Sequence, residues 1–308
     1  MNKIALQSLF VIAVLFCITP LASPPVALFI GLIMAQTVGN PFEKYNSKIA
    51  KRLLQISIIG LGFGMNINAA IKSSSHGIIF TIGTIIITMT AGYILGKLFK
   101  VDKNITTLIS SGTAICGGSA IAAVSPVIDA KNEETAVSMG TVFILNAVGL
   151  FIFPILGHYL GMSQESFGMW SAIAIHDTSS VVGAAQSYGD KALSIAVNVK
   201  LTRALWIIPL VIAIIVITKK KNSKVQIPWF IAGYIIAMLI ATYIPGLKEI
   251  NSGISEASKK LLTVTLFFIG AGITRCNIKK VGARPLIMGV ILWFIISIVS
   301  FYSVKMFY

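Results

Sequence analysis

The chain has 308 residues, of which 56% are hydrophobic and only 11% charged, and its mean hydropathy of +0.88 excludes a soluble globular domain. A formal net charge of +15 is carried by lysines and arginines scattered over short connections between apolar runs, with no soluble domain to present them. That distribution excludes a nucleic-acid-binding face and points to lipid headgroups and membrane topology instead.

Several apolar runs are long enough to cross about 30 Å of hydrocarbon at about 1.5 Å per residue, and the pattern predicts roughly eleven spans. In chain order they run from Ile4 to Thr19, Pro25 to Val38, Leu53 to Ala70, Ile78 to Leu98, Ile105 to Ile128 and Ala136 to Tyr159. They continue from Phe167 to Tyr188, Thr202 to Thr218, Ile227 to Tyr243, Leu261 to Ile273 and Leu286 to Val304. The first run lacks a clear small-residue cleavage site and reads as a helix, not a secretory signal. Alternate loops differ in charge. Those containing Lys3, Lys44 to Arg52, Lys97 to Lys103, Lys219 to Lys224 and Arg275 to Arg284 hold sixteen lysines and arginines, against seven on the other side at Lys72, Lys131, Lys191, Lys248, Lys259, Lys260 and Lys305. The positive-inside rule then predicts a cytoplasmic amino terminus.

Two islands rich in glycine and hydroxyl groups interrupt the apolar pattern. The first is Ser110-Ser111-Gly112-Thr113-Ala114-Ile115-Cys116-Gly117-Gly118-Ser119, and the second is Ala174-Ile175-His176-Asp177-Thr178-Ser179-Ser180-Val181-Val182-Gly183. Irregular polar backbone at membrane depth is tolerated only where it is buried in protein or lines a wet cavity, which is where a solute sits in a carrier. Gly112, Gly117 and Gly118 allow unusual dihedrals and close approach, while Ser111, Thr113 and Ser119 offer hydroxyls, and the N–H groups of a half-helix amino terminus suit an anion. Close packing of helices through small residues is the alternative. The predicted solute-binding set is Ser111, Gly112, Thr113, Cys116, Gly117, Gly118, Ser119, Thr178, Ser179 and Ser180.

His176 and Asp177 are ionisable residues at membrane depth, a costly placement that usually marks function. Asp177 is a candidate carrier of a coupling proton, with His176 beside it; equally, Asp177 is placed to cap a half-helix by accepting from Ser179 or Ser180. Lys200 and Arg203 stand three apart and so share a helix face, where they either neutralise a divalent anion, pair with Asp177, or extend to the interface. These four form the predicted ion-coupling set. Asn146, within the apolar run from Phe143 to Phe153, is expected to hydrogen-bond between helices, and His76 and His158 are expected in loops.

Internal repeats organise the chain. Lys51-Arg52-Leu53-Leu54 leads to Gly62-Phe63-Gly64 at the spacing with which Lys259-Lys260-Leu261-Leu262 leads to Gly270-Ala271-Gly272, and seven crossings between them would make the copies antiparallel, as in an inverted-topology transporter. Ala114 to Ser125 likewise resembles Ala174 to Ala185, each followed by a proline-containing apolar run. Here the span count strains, because two crossings between the islands make them parallel; a re-entrant hairpin is one resolution. The expected architecture is all-α: a single integral membrane domain over 1–308 with about eleven transmembrane segments, repeat halves at 25–158 and 164–304 that are inverted in topology, and two discontinuous or re-entrant helices.

Cys17, Cys116 and Cys276 share no metal-like spacing, and there is no P-loop, dinucleotide fingerprint or His-Glu-x-x-His, so neither a cofactor nor a metal nor a catalytic residue is expected. The run Ser111-Gly-Thr-Ala-Ile-Cys-Gly-Gly-Ser-Ala-Ile-Ala-Ala123, with Ile175-His176-Asp177-Thr178-Ser179 and the helix carrying Lys200 and Arg203, resembles the YeiH-like family over nearly the whole chain. Its members are uncharacterised bacterial multi-span inner-membrane proteins that carry a sulfate-exporter label. The resemblance implies a fold related to the cation/proton antiporters and bile-acid symporters, with crossed discontinuous helices. The resulting expectation is a non-enzymatic secondary transporter of a small anion, sulfate or a related sulfur oxyanion, with proton coupling. Its partners would be membrane lipids and the anion, with a homodimer compatible and nucleic acid excluded. The alternatives are a cation/proton antiporter of similar fold and a membrane sensor or scaffold; the first favours a denser carboxylate cluster than the lone Asp177, and the second a soluble signalling domain.

Overall fold

A computed structural model describes residues 3–19, 21–68, 77–218, 229–272 and 282–307, all helices and connections. His76, Cys276 and the loop cations Lys72, Lys219 to Lys221, Lys224, Arg275, Lys279 and Lys280 lie outside the described residues. The helices are α1 (Lys3–Ile18), α2 (Pro24–Thr37), α3 (Glu43–Gly62), α4 (Gly77–Leu98), α5 (Lys103–Ala114), α6 (Gly118–Val124) and α7 (Asn132–Tyr159). They continue as α8 (Gln164–Ala174), α9 (Thr178–Tyr188), α10 (Asp190–Leu205), α11 (Ile207–Thr218), α12 (Trp229–Tyr243), α13 (Lys248–Ala271) and α14 (Ala283–Phe307). Four helical stretches, Phe80–Leu98, Asn132–Tyr159, Asp190–Ile217 and Ala283–Met306, are long and apolar enough to cross a membrane by length and composition, and Ala5–Ile18, Pro24–Thr37 and Trp229–Tyr243 are shorter apolar helices.

The chain divides into two compact units, one of Met1–Ile71 with Pro228–Asn277 and the other of Lys72–Ile227 with Ile278–Tyr308. In the first, α13 packs along both α2 and α3, and α12 packs on α3. Small residues set these distances: Gly31 of α2 lies against the backbone of Phe267 and Ala271, and Gly270 of α13 against the backbone of Leu28 and Leu32, so a side chain at either would collide with main chain. A matching pair joins α12 to α3, with Gly233 on Ile59 and Gly62 on Tyr234. Helices α3 and α13 are antiparallel, since Gly64 meets Ser255 at one end while Asn46 donates to Phe268 O at 2.7 Å towards the other. Phe10 of α1 closes this core, its ring edge-on to Phe42, Phe267 and Phe268 at 5.2, 5.0 and 5.5 Å.

In the second unit both islands interrupt helices, and at both the chain doubles back. The first reversal joins α5 and α6. Asn104, at the start of α5, donates to Glu134 at 2.9 Å, and Ser125, just beyond α6, meets Thr135 at 2.7 Å, so both ends lie at the amino terminus of α7. Gly112 packs on the side chain of Ile121, which a continuous helix would carry about 13 Å further along its axis.

The second reversal joins α8 and α9. Tyr188, the last residue of α9, stacks on Phe167 with ring centroids 3.8 Å apart and donates its hydroxyl to Met162 O at 2.6 Å, so α9 ends where α8 begins. Gln164 then receives the backbone N–H groups of Lys191 and Ala192 at 3.0 and 3.4 Å, and Lys191 pairs with Glu165. Helix α10 therefore starts beside α8 and runs parallel to it. The runs from Ile105 to Ile128 and from Phe167 to Tyr188, expected as crossings, are thus in-and-out hairpins based at opposite ends of α7. Their caps are local: Asp102 accepts from Asn104 N, and Ser163 from Ser166 N.

Candidate functional site

The two hairpin turns meet. Gly117 adopts φ 65° and ψ −125°, and a Cβ there would stand 3.3 Å from both Cα and Cβ of Asp177. A left-handed dihedral and a close approach to another backbone coincide at this residue, so only glycine fits without strain.

Each break leaves backbone groups without intrahelical partners. The structure supplies them from side chains on other helices. Asn146 of α7 turns its carboxamide oxygen to the second turn and accepts from His176 N at 3.0 Å and Asp177 N at 3.2 Å. Asp177 caps α9 through Oδ2, accepting from Ser179 N at 3.1 Å and from the Ser179 hydroxyl. At the carboxyl end of α8, Lys200 Nζ donates to Ile175 O at 2.8 Å and Ala172 O at 3.2 Å, and Trp293 of α14 donates to Ala174 O at 2.9 Å. At the carboxyl end of α5, Arg203 donates to Ala114 O at 2.5 Å, and its other terminal nitrogen reaches Thr84 Oγ1 at 3.0 Å. Lys200 and Arg203 are both fully buried, and each sits at the negative end of a different half-helix.

The expected solute-binding residues divide on inspection. Ser111 gives its hydroxyl to Thr107 O within its own helix, and Ser119 is exposed, away from the meeting point. Thr113, Cys116, Thr178, Ser179 and Ser180 are buried with Gly112 and Gly117 around the two turns, and Gly118 opens α6 against the ring of Phe143. Of the ion-coupling set, His176 is fully buried, Asp177 is half-buried as a cap, and the two cations bind carbonyls rather than Asp177.

Four buried side chains near the turns keep polar atoms with no hydrogen-bond partner among the described residues: Thr113 Oγ1, Asn146 Nδ2, both ring nitrogens of His176 and Arg203 Nε. Buried polar atoms in a folded protein are ordinarily paired, so this concentration makes the region of the two turns the candidate site. Trp293 and Thr84 were not singled out by sequence. The signal for Trp293 was an indole N–H inside an apolar helix, which needs an acceptor; Thr84 has no comparable signal amid its threonine-rich run.

The family model described as Conserved hypothetical protein 698 matches residues 4–289. The chain belongs to this family. A UPF0324 membrane protein of Bacteroides thetaiotaomicron is 52% identical over 90% of this chain and 84% of its own length. Relatives of the same description in Photobacterium profundum and Geobacter sulfurreducens are 48% and 44% identical, covering 96% of this chain and 91% and 96% of their own lengths. No solved structure matches. Family members are thus membrane proteins by name, in keeping with the apolar helices of this chain.

Proposed function

We propose that this protein is a secondary transporter that carries a small anion, sulfate or a related sulfur oxyanion, across the bacterial plasma membrane by exposing the hairpin meeting point alternately to each side. The observation that carries this reading is the set of buried, unpartnered polar groups where the two turns touch. Electrostatics favour an anion there. Lys200 and Arg203, each on a hairpin carbonyl, outnumber the one carboxylate Asp177, and about half a charge at each half-helix terminus leaves a surplus of roughly half to one positive charge.

The hairpins supply the symmetry that such a cycle needs. Each is followed by a proline-containing crossing, giving units 103–159 and 164–218 that start at opposite ends of α7 and are therefore inverted, within the larger halves 25–158 and 164–304. Treating both islands as hairpins also moves Lys131 to the amino-terminal side of the charge tally. That makes seventeen against six, from sixteen and seven, and strengthens the case for a cytoplasmic amino terminus. Asp177, with His176 beside it, is the group we assign to proton coupling.

The test is uptake of labelled sulfate into proteoliposomes under an imposed pH gradient, with sulfite and taurine as competitors. Wild type is compared with Asp177→Asn, which keeps a capping oxygen but not the charge. Saturable, gradient-driven flux that loses its pH dependence in the variant supports the reading. Sodium or proton exchange with no anion flux would overturn it in favour of a cation antiporter.

A further inference from the structure

Helices α3 and α13 each carry their charges in the amino-terminal half, and apolar residues follow from Leu53 in one and Leu261 in the other. Arg52 is the tenth of the 20 residues of α3, counting from Glu43, and Lys260 the thirteenth of the 24 of α13, counting from Lys248. Both therefore stand near the middle of helices about 30 and 36 Å long. Both are exposed, and Lys48 with Lys51 and Arg52, three and four residues on, forms one exposed face of α3. The charged halves do not simply project from the membrane, because the two helices are antiparallel and Gly60 lies against Ser258. Eight residues back from Gly60 and eight forward from Ser258 set Arg52 level with Leu266, about one turn from where Gly31 of the apolar α2 meets Phe267 and Ala271. The same count sets Lys260 level with Ile58, next to the residue on which Gly233 of the apolar α12 packs. Each charged half thus lies beside the apolar half of the other helix and beside an apolar neighbour.

The levels of Arg52 and Lys260 are about 9 Å apart along the pair, so a hydrocarbon layer about 30 Å thick cannot be placed to leave both outside it. A charged side chain at such depth is costly against lipid, and one near mid-helix is too far from the helix end to extend to the interface. Such residues face water or protein instead. We propose that the exposed charged faces of α3 and α13 line water-filled vestibules at membrane depth, and that the α3 vestibule admits small anions. Its charge decides the ligand class: α3 carries four lysines and arginines against one carboxylate, Glu43, whereas α13 sets Lys248, Lys259 and Lys260 against Glu249 and Glu256. Cations along a wet cleft with low-dielectric walls focus their field and raise the local concentration of anions. The inference rests on the depth and charge of these two helices, and it stands or falls apart from the hairpin meeting point.

The test places single cysteines by Arg52→Cys, Lys260→Cys and Phe294→Cys in a full-length background without Cys17, Cys116 and Cys276, reconstituted in proteoliposomes with reagent on both sides. Phe294 is exposed midway along the apolar α14 and serves as the lipid-facing control. The probes are the anionic sulfonatoethyl and the cationic trimethylammonioethyl methanethiosulfonates, which react with the thiolate, a form that exists in water and is suppressed in apolar surroundings. Positions 52 and 260 should react about tenfold or more faster than position 294. At position 52 the anionic probe should gain about tenfold on the cationic one relative to their rates with free cysteine, and Lys48→Gln with Lys51→Gln should bring that gain to within about twofold. Rates at 52 and 260 no faster than at 294 would overturn the vestibules, and so would slow labelling at 52 with a disulfide-linked dimer, which makes the face an interface between copies. Fast labelling at 52 without preference for the anionic probe would overturn the anion assignment. Flux is scored separately: unreactive cysteines with sulfate flux intact overturn this inference and leave transport standing, while reactive, anion-preferring ones without flux uphold it and count against the transport reading.

Discussion

Replacing Gly117 by alanine tests the hairpin contact most directly. At φ 65° and ψ −125° the residue lies outside the helical, extended and left-handed helical regions, and forcing an L-residue there costs about 1–3 kcal/mol. The added methyl would also press at 3.3 Å on Cα and Cβ of Asp177 and at 3.4 Å on its nitrogen, which Asn146 already holds in place. Relief therefore requires backbone movement in one of the turns. The conformational term alone lowers the population of the native contact by roughly five- to 150-fold. In detergent, Gly117→Ala should lower the melting temperature by at least a few degrees, and in proteoliposomes it should reduce flux by a factor in that range. Gly118→Ala is the control. It sits at a helical position where the methyl would meet the Phe143 ring at 3.2 Å, and that ring can turn aside, so the cost should stay below about 1 kcal/mol. Equal behaviour of the two variants, or wild-type melting and flux in Gly117→Ala, would refute the argument.

Asn146→Leu strips the acceptor from two buried amides and should cost about 1–3 kcal/mol for each, seen as a large drop in melting temperature. Asn146→Asp keeps an accepting oxygen for those amides but puts an unpaired carboxylate in a buried position, so it should melt below wild type while binding anions about tenfold more weakly. Arg203→Lys removes the planar fork whose two terminal nitrogens reach Ala114 O and Thr84 Oγ1, and a melting temperature equal to wild type would count against the fork as a structural clamp. Tyr188→Phe keeps the stack on Phe167 and loses the bond to Met162, for a cost of about 1 kcal/mol by thermal unfolding. In a background without Cys17, Cys116 and Cys276, single cysteines at 103 and 131 should react with an impermeant reagent from one side of the membrane, and at 163 and 191 from the other. Opposite-side labelling within either pair would show that the island between them crosses.

Much of the site was legible because its chemistry breaks the local pattern. Glycines and hydroxyls amid apolar runs, a His-Asp pair at membrane depth, and Lys200 and Arg203 on one helix face all stand out without any knowledge of the fold. The direction of the chain did not, because a 22-residue segment such as 103–124 has the length of one crossing and equally of one short helix in and another out. What separates the two is pairing between residues remote in sequence, Tyr188 with Met162 and Asn104 with Glu134, which no periodicity reports. Partner choice for the two cations was hidden for the same reason: the carbonyls of Ala114, Ala172 and Ile175 attract a cation only once a helix has ended there.

Helix α10 carries Lys200 and Arg203 three residues apart, and each holds the end of a different hairpin. The two anchoring residues are therefore spaced along the helix axis by about 1.5 Å per residue, or close to 4.5 Å. A rigid translation of α10 carries both ends equally and keeps their spacing, whereas one residue inserted between 200 and 203 changes the spacing by about 1.5 Å and swings one cation through roughly 100° away from its carbonyls. The chain can thus tolerate a sliding α10 far better than a stretched one, and the interval 200–203 is where a change of length would be least forgiven.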